Sequence, residues 1–245
     1  MSPGPVPCAA PCAASVLLTG MLDDSFAAPL ELVEVARPSA SVHYATGRDD
    51  VPVVCLAAAD AVRLPGSALI STLPWGPVRV VDGRITDATR SWRVSRWWQP
   101  PRPRGLVPPA VPPRLAACEV PDDLVPHDLV GLGPGLTPTG DDVVAGALVA
   151  AHATGHPRLE SWQAQTRAAL RVRRTTAVSR GLLHHALDGY AVPELAAFLV
   201  AVCTDGDLTS ASARLLAVGH SSGAALAAGA LHAIGTHPVV RRAAA

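Results

Sequence analysis

The chain contains no lysine and no asparagine, and all twenty of its basic residues are arginine. That absence excludes Schiff-base lysines, phosphate-loop lysines and lysine general bases. Net charge is missing too: twenty acidic side chains cancel the arginines to a formal charge of zero, which argues against nucleic-acid binding as the main task. No apolar run reaches the about 18 residues that a membrane span needs, so none is expected. The five cysteines, Cys8, Cys12, Cys55, Cys118 and Cys203, are odd in number and scattered. They read as free thiols of a cytoplasmic protein rather than as a disulfide frame. Residues Met1–Ala14 are rich in Pro and Ala and lack a basic leader segment, so a disordered leader is expected and a signal peptide is not.

What is present suffices for a large core: 245 residues, 49% of them hydrophobic. From Ser15 to Trp98 the pattern is one of short β-favouring runs between Pro, Gly and Asp turns, namely Ser15–Thr19, Leu30–Ala36, Ser41–Ala45, Val51–Ala57, Ala68–Ser71 and Val78–Val81. Asp82-Gly83 between Val78–Val81 and Arg84–Ile85 is a hairpin signal. A β-rich domain over residues 15–98, a sandwich or a small barrel, is predicted, with Trp92, Trp97 and Trp98 closing it. Residues 99–114 carry seven prolines and read as a stiff connector. Beyond it a helical domain is expected over 115–236, with a tail over 237–245. Its helices are predicted at Val143–Thr154, Leu159–Asp188 (broken near Gly181), Pro193–Cys203, Asp207–Val218 and Ser222–Ile234. The fold class is therefore α+β, a β-rich domain followed by an all-helical one.

One stretch organises the helical half. Residues Gly131–Asp142, GLGPGLTPTGDD, hold four glycines and two prolines, so they form neither helix nor central strand. An uncharged run, Val143–Ala151, follows, with Asp141 or Asp142 placed as its N-cap. A glycine loop that feeds a buried helix presents backbone N–H groups to an anion or a carbonyl oxygen, and Gly133, Gly135, Leu136, Thr137, Thr139 and Gly140 are the candidate binding residues. The loop is not a phosphate-binding P-loop, which ends in a lysine. Asp141 and Asp142 are the candidate catalytic pair. They would accept from an amide or ammonium group, or, as the alternative, hold Mg²⁺ against a phosphate.

Gly219-His220-Ser221-Ser222-Gly223 spells the G-x-S-x-G of a nucleophile elbow, but the segment before it is helical and no acid follows Ser221. A serine hydrolase is therefore rejected. The stretch instead reads as a second glycine loop opening a second buried helix, with Ser221 or Ser222 as cap and His220, Ser221, Ser222 and Gly223 beside the ligand. Between the two loops, Thr175 or Thr176 and Ser179 would share one helix face, either lining a ligand or bonding back to their own helix. His127 and Asp128 could form a base–orienter pair. His152 and His156 have metal spacing but are separated by a helix-ending Gly155, and no metal site is assigned.

Three segments taken together, Gly131–Asp142, Arg174–Leu183 (RTTAVSRGLL) and Gly219–Gly223, resemble the AllH-type family, subunits of oxamate carbamoyltransferase. The resemblance runs from about Leu129 to Leu231. It implies a cytoplasmic bacterial protein of purine (allantoin) catabolism that works with other subunits. The implied reaction converts oxalurate and phosphate to oxamate and carbamoyl phosphate, on a small anionic substrate. A non-catalytic scaffold subunit and a Mg²⁺-dependent phosphoryl-transfer protein are the competing readings.

Overall fold

A computed structural model describes residues 8–115 and 121–237. The chain divides into two compact units, Met1–Pro100 and Pro101–Ala245.

The first unit is a closed barrel, not a sandwich. Its strands are β1 (Cys8–Ser15), β2 (Leu30–Ala36), β3 (Ser41–Ala45), β4 (Val53–Ala57), β5 (Ser67–Leu69), β6 (Val78–Val81), β7 (Arg84–Thr86) and β8 (Arg90–Trp98). They follow one another around the barrel in the order β1-β5-β4-β3-β2-β6-β7-β8. β1 runs parallel to β8 and β4 parallel to β5, and the remaining pairs are antiparallel. Alternate residues fill the interior: Val42 and Tyr44, Val54 and Leu56, Val78 and Val80, with Ile85 and Trp92 fully buried among them. A barrel of this strand number has room for packed side chains and little else. The expected hairpin is present, with Asp82 (φ 48°) and Gly83 (φ 69°) both left-handed between β6 and β7. Trp92 is core, whereas Trp97 is 44% exposed.

Two expectations fail at the start of the barrel. Over residues 8–14 the disordered leader is strand: β1 pairs along its whole length with β8. Its alanines and cysteines carry no β signal of their own, so the partner strand sets their conformation. Pro11 is accommodated because residues 8–12 pair on one side only, leaving the other edge free for a nitrogen that cannot donate. The run Ser15–Thr19 is not a strand either. Ser15 accepts from the Leu17 N–H (3.2 Å) and caps a 3-10 turn, Val16–Leu18, that leads into α1 (Thr19–Asp24).

The second unit holds α2 (Pro126–Leu129), α3 (Thr139–Thr154), α4 (Leu159–Val172), α5 (Ala177–Ala186), α6 (Pro193–Cys203), α7 (Leu208–Leu216) and α8 (Ser222–Gly235). α3 and α8 are buried on nearly every face and form its centre. α3 ends as expected, with Gly155 as a left-handed cap (φ 66°). The helix predicted over Leu159–Asp188 is two helices, and the break is at Arg173–Thr176 instead of Gly181. Gly181 is a buried mid-helix residue of α5, while the Thr176 hydroxyl accepts from the Ser179 N–H (3.0 Å) and restarts the chain. From Pro101 the proline-rich segment lies against this unit: the Ala191 N–H donates to the Pro101 carbonyl (2.9 Å) and the Leu106 N–H to that of Ala153 (2.8 Å). Of the tail expected over 237–245, all but His237 lies outside the described residues, as does Cys118. Among the described residues no helix is long and apolar enough to cross a membrane.

Candidate functional site

α3 begins at Thr139, so the two aspartates sit inside its first turn rather than at its cap. The N-cap position is Pro138, whose carbonyl accepts from the N–H groups of Asp141 (2.9 Å) and Asp142 (3.2 Å). Freed from capping, the two carboxyls take different roles. The Asp141 carboxylate accepts from the Gly131 N–H (2.8 Å) at one oxygen and from the Thr175 hydroxyl at the other. It thereby ties the start of the glycine loop and the α4–α5 junction to α3. Gly131 has to be glycine: its φ is +80°, and a Cβ there would lie 2.5 Å from the Arg174 carbonyl oxygen. Thr176 fixes the far end of the loop by donating to the Leu136 carbonyl (2.5 Å). Thr175 and Thr176 thus act as clasps at a helix start; they do not share a helix face with Ser179. Ser179 is fully buried in α5, and its hydroxyl has no partner.

The two glycine loops meet. The Thr137 and Ser222 hydroxyls are 2.8 Å apart, which joins the loop residue two positions before α3 to the first residue of α8 and sets the two helix starts side by side. Ser221 occupies the N-cap position of α8, but neither it nor Ser222 makes a side-chain cap bond. Gly223 packs too tightly for a side chain, since its Cβ would lie 2.8 Å from the Leu215 carbonyl carbon. His220 and Ser221 are exposed, as are Gly133, Gly135 and Leu136, while Gly140 is buried and donates to the Leu132 carbonyl (2.9 Å). Thr139 is exposed in the first helical turn. None of the hydrogen bonds among the described residues uses the amides of Gly133, Gly135, Leu136 or Thr137.

Beneath that joint lies Asp142, 1% exposed, with neither carboxyl oxygen hydrogen-bonded. Burial pushes its pKa up to about 7; the nearby Ser222 and Thr137 hydroxyls, outside hydrogen-bond geometry, pull it down, and Asp141 raises it further. A group protonated more readily when folded favours the folded state fully below its unfolded pKa of about 3.9, and that advantage is lost as pH rises through 7. Asp142→Asn is therefore expected to match the wild type near pH 4 and to exceed it by about 4 kcal/mol above pH 8. Urea unfolding across that range checks it, and parallel profiles would refute it.

The Mg²⁺ alternative does not fit this donor set. Asp141 has both oxygens committed within the protein, and among the described residues no three His, Cys, Asp or Glu side chains stand together as ligands. Four other histidines have settings of their own. His127 and Asp128 are paired at 3.3 Å but exposed. His152 bonds the Leu187 carbonyl (2.9 Å), and His156 stacks on Trp162 with ring centres 4.8 Å apart. His185 is buried, and desolvation lowers its pKa to about 3, which keeps it neutral. Sequence reasoning missed Gly131 as the partner of Asp141 and did not separate the two aspartates. A doublet at a helix start, preceded ten residues earlier by a glycine, was the available signal.

Neither the curated proteins nor the solved structures contain a match to this chain. A family model does match: residues 129–234, covering α3 to α8 apart from the last residue, fit that of oxamate carbamoyltransferase subunit AllH. The match takes in both glycine loops, the Thr175–Thr176 clasp and the buried Asp142, so the helical half of this chain is similar to that family.

Proposed function

We propose that the protein is a subunit of a carbamoyltransferase-type enzyme. In this reading it binds a small anionic ligand, carbamoyl- or phosphate-bearing, over the paired starts of α3 and α8. The observation that carries the reading is the Thr137–Ser222 contact, which makes one site of two loops 85 residues apart in the chain. Two helix N-termini supply positive dipole ends and amides for an oxyanion that develops during carbamoyl transfer. Asp142 supplies the one open carboxyl to face a substrate amide or hydroxyl. Asp141 positions the loop and does not touch the ligand. The family description, a subunit of oxamate carbamoyltransferase, extends the proposal to oxamate, a carbamoyl group and partner subunits. The motif resemblance extends it further to oxalurate, phosphate and carbamoyl phosphate, a cytoplasmic hetero-oligomer and purine (allantoin) catabolism.

Calorimetry with oxamate, phosphate and carbamoyl phosphate, alone and with partner subunits, tests it. We expect binding to the wild type and at least about tenfold weaker binding, roughly 1.4 kcal/mol, to a folded Ser222→Leu variant, whose side chain fills the joint. A scaffold subunit whose loops merely pack helices would bind none of the three.

A further inference from the structure

The Asp141–Asp142 doublet looks symmetric in sequence and is not symmetric in the fold. Asp141 has a donor on each oxygen. Asp142 is 1% exposed, has no donor on either, and sits beside the hydroxyl pair that bridges the loops. α2, α4, α5, α6 and α8 all pack on α3, yet among the described residues the only titratable group acting on Asp142 is Asp141. Thr137 from the glycine loop and Ser222 from α8 are its other neighbours, and both are uncharged. An anion seated over the two helix starts would thus meet a buried carboxyl that no arginine neutralises. A buried like charge opposes binding far more strongly than it would in water.

From this geometry, and resting on the ligand site proposed above, we infer that the anion binds together with one proton carried by Asp142. The proton comes from solvent and stays on the carboxyl oxygen, which donates a hydrogen bond toward the ligand directly or through the Ser222–Thr137 hydroxyls. No covalent bond is made or broken. The raised pKa of Asp142 keeps the uptake within reach of neutral pH. The site would therefore favour acidic conditions even for a ligand whose own charge is constant.

Oxamate serves as the probe, because its carboxylate does not titrate near neutrality. Its dissociation constant is measured by calorimetry from about pH 6 to pH 9 on the wild type and on Asp142→Asn, which carries a permanently neutral side chain of the same shape. The expected result is a wild-type affinity that is level below pH 7 and weakens about tenfold per pH unit above it. The variant should bind at the wild type's acid-limit affinity throughout. Affinity independent of pH in the wild type, or the same slope in the variant, would overturn the proton coupling while leaving the ligand site standing. Failure of oxamate to bind at any pH would remove the site and the coupling with it.

Discussion

Gly146→Val and Gly229→Val are each expected to abolish stable folding of the helical unit. α3 and α8 approach backbone to backbone at these two residues. A Cβ on Gly146 would enter the van der Waals shell of the Leu226 carbonyl oxygen and lie 2.8 Å from its carbon. One on Gly229 would collide with the Val143 carbonyl oxygen and lie 2.7 Å from that carbon. The obstacle in both cases is backbone inside a buried helix, so no rotamer change relieves it. Even alanine, which gains about 1 kcal/mol in helix propensity over glycine, is expected to lose about 3 kcal/mol or more net because the helices must move apart. That separation would also pull Ser222 from Thr137, so ligand binding and stability should fail together. Thermal unfolding of the alanine variants checks this, and a melting temperature at or above that of the wild type would contradict the close crossing.

Asp141→Ala is the second large effect. It strips partners from the Gly131 N–H and the Thr175 hydroxyl at once and leaves a gap where a fully buried side chain stood. Each donor left unsatisfied costs about 1–3 kcal/mol, so a loss of roughly 3–5 kcal/mol is expected. Asp142→Ala removes a carboxyl with no bond to lose. The two adjacent substitutions should therefore differ by at least about 2 kcal/mol in denaturant unfolding at neutral pH, and equal losses would dissolve the distinction between clasp and open carboxyl. Thr175→Val offers a milder check on the same network, deleting one donor while keeping the shape of the side chain.

Much was legible in the chain itself. Short β-favouring runs between turns and the Asp82-Gly83 turn specified a β-rich start, and uncharged small-residue runs at Val143–Ala151 and Ser222–Ile234 specified buried helices, because those patterns reflect local backbone preference and burial. The glycine loops and the three family motifs were also readable, since left-handed turns and close approaches demand glycine whatever surrounds them. The tertiary structure alone decided the rest. It turned Cys8–Ser15 into a barrel strand through pairing with β8, which no propensity in that segment announces. It broke the long predicted helix at Thr176, where a side-chain cap outcompeted a tolerable helical glycine at 181. Above all it told two neighbouring aspartates apart: consecutive helical residues point about 100° away from each other, so one met an amide and a hydroxyl while the other was buried with nothing to accept.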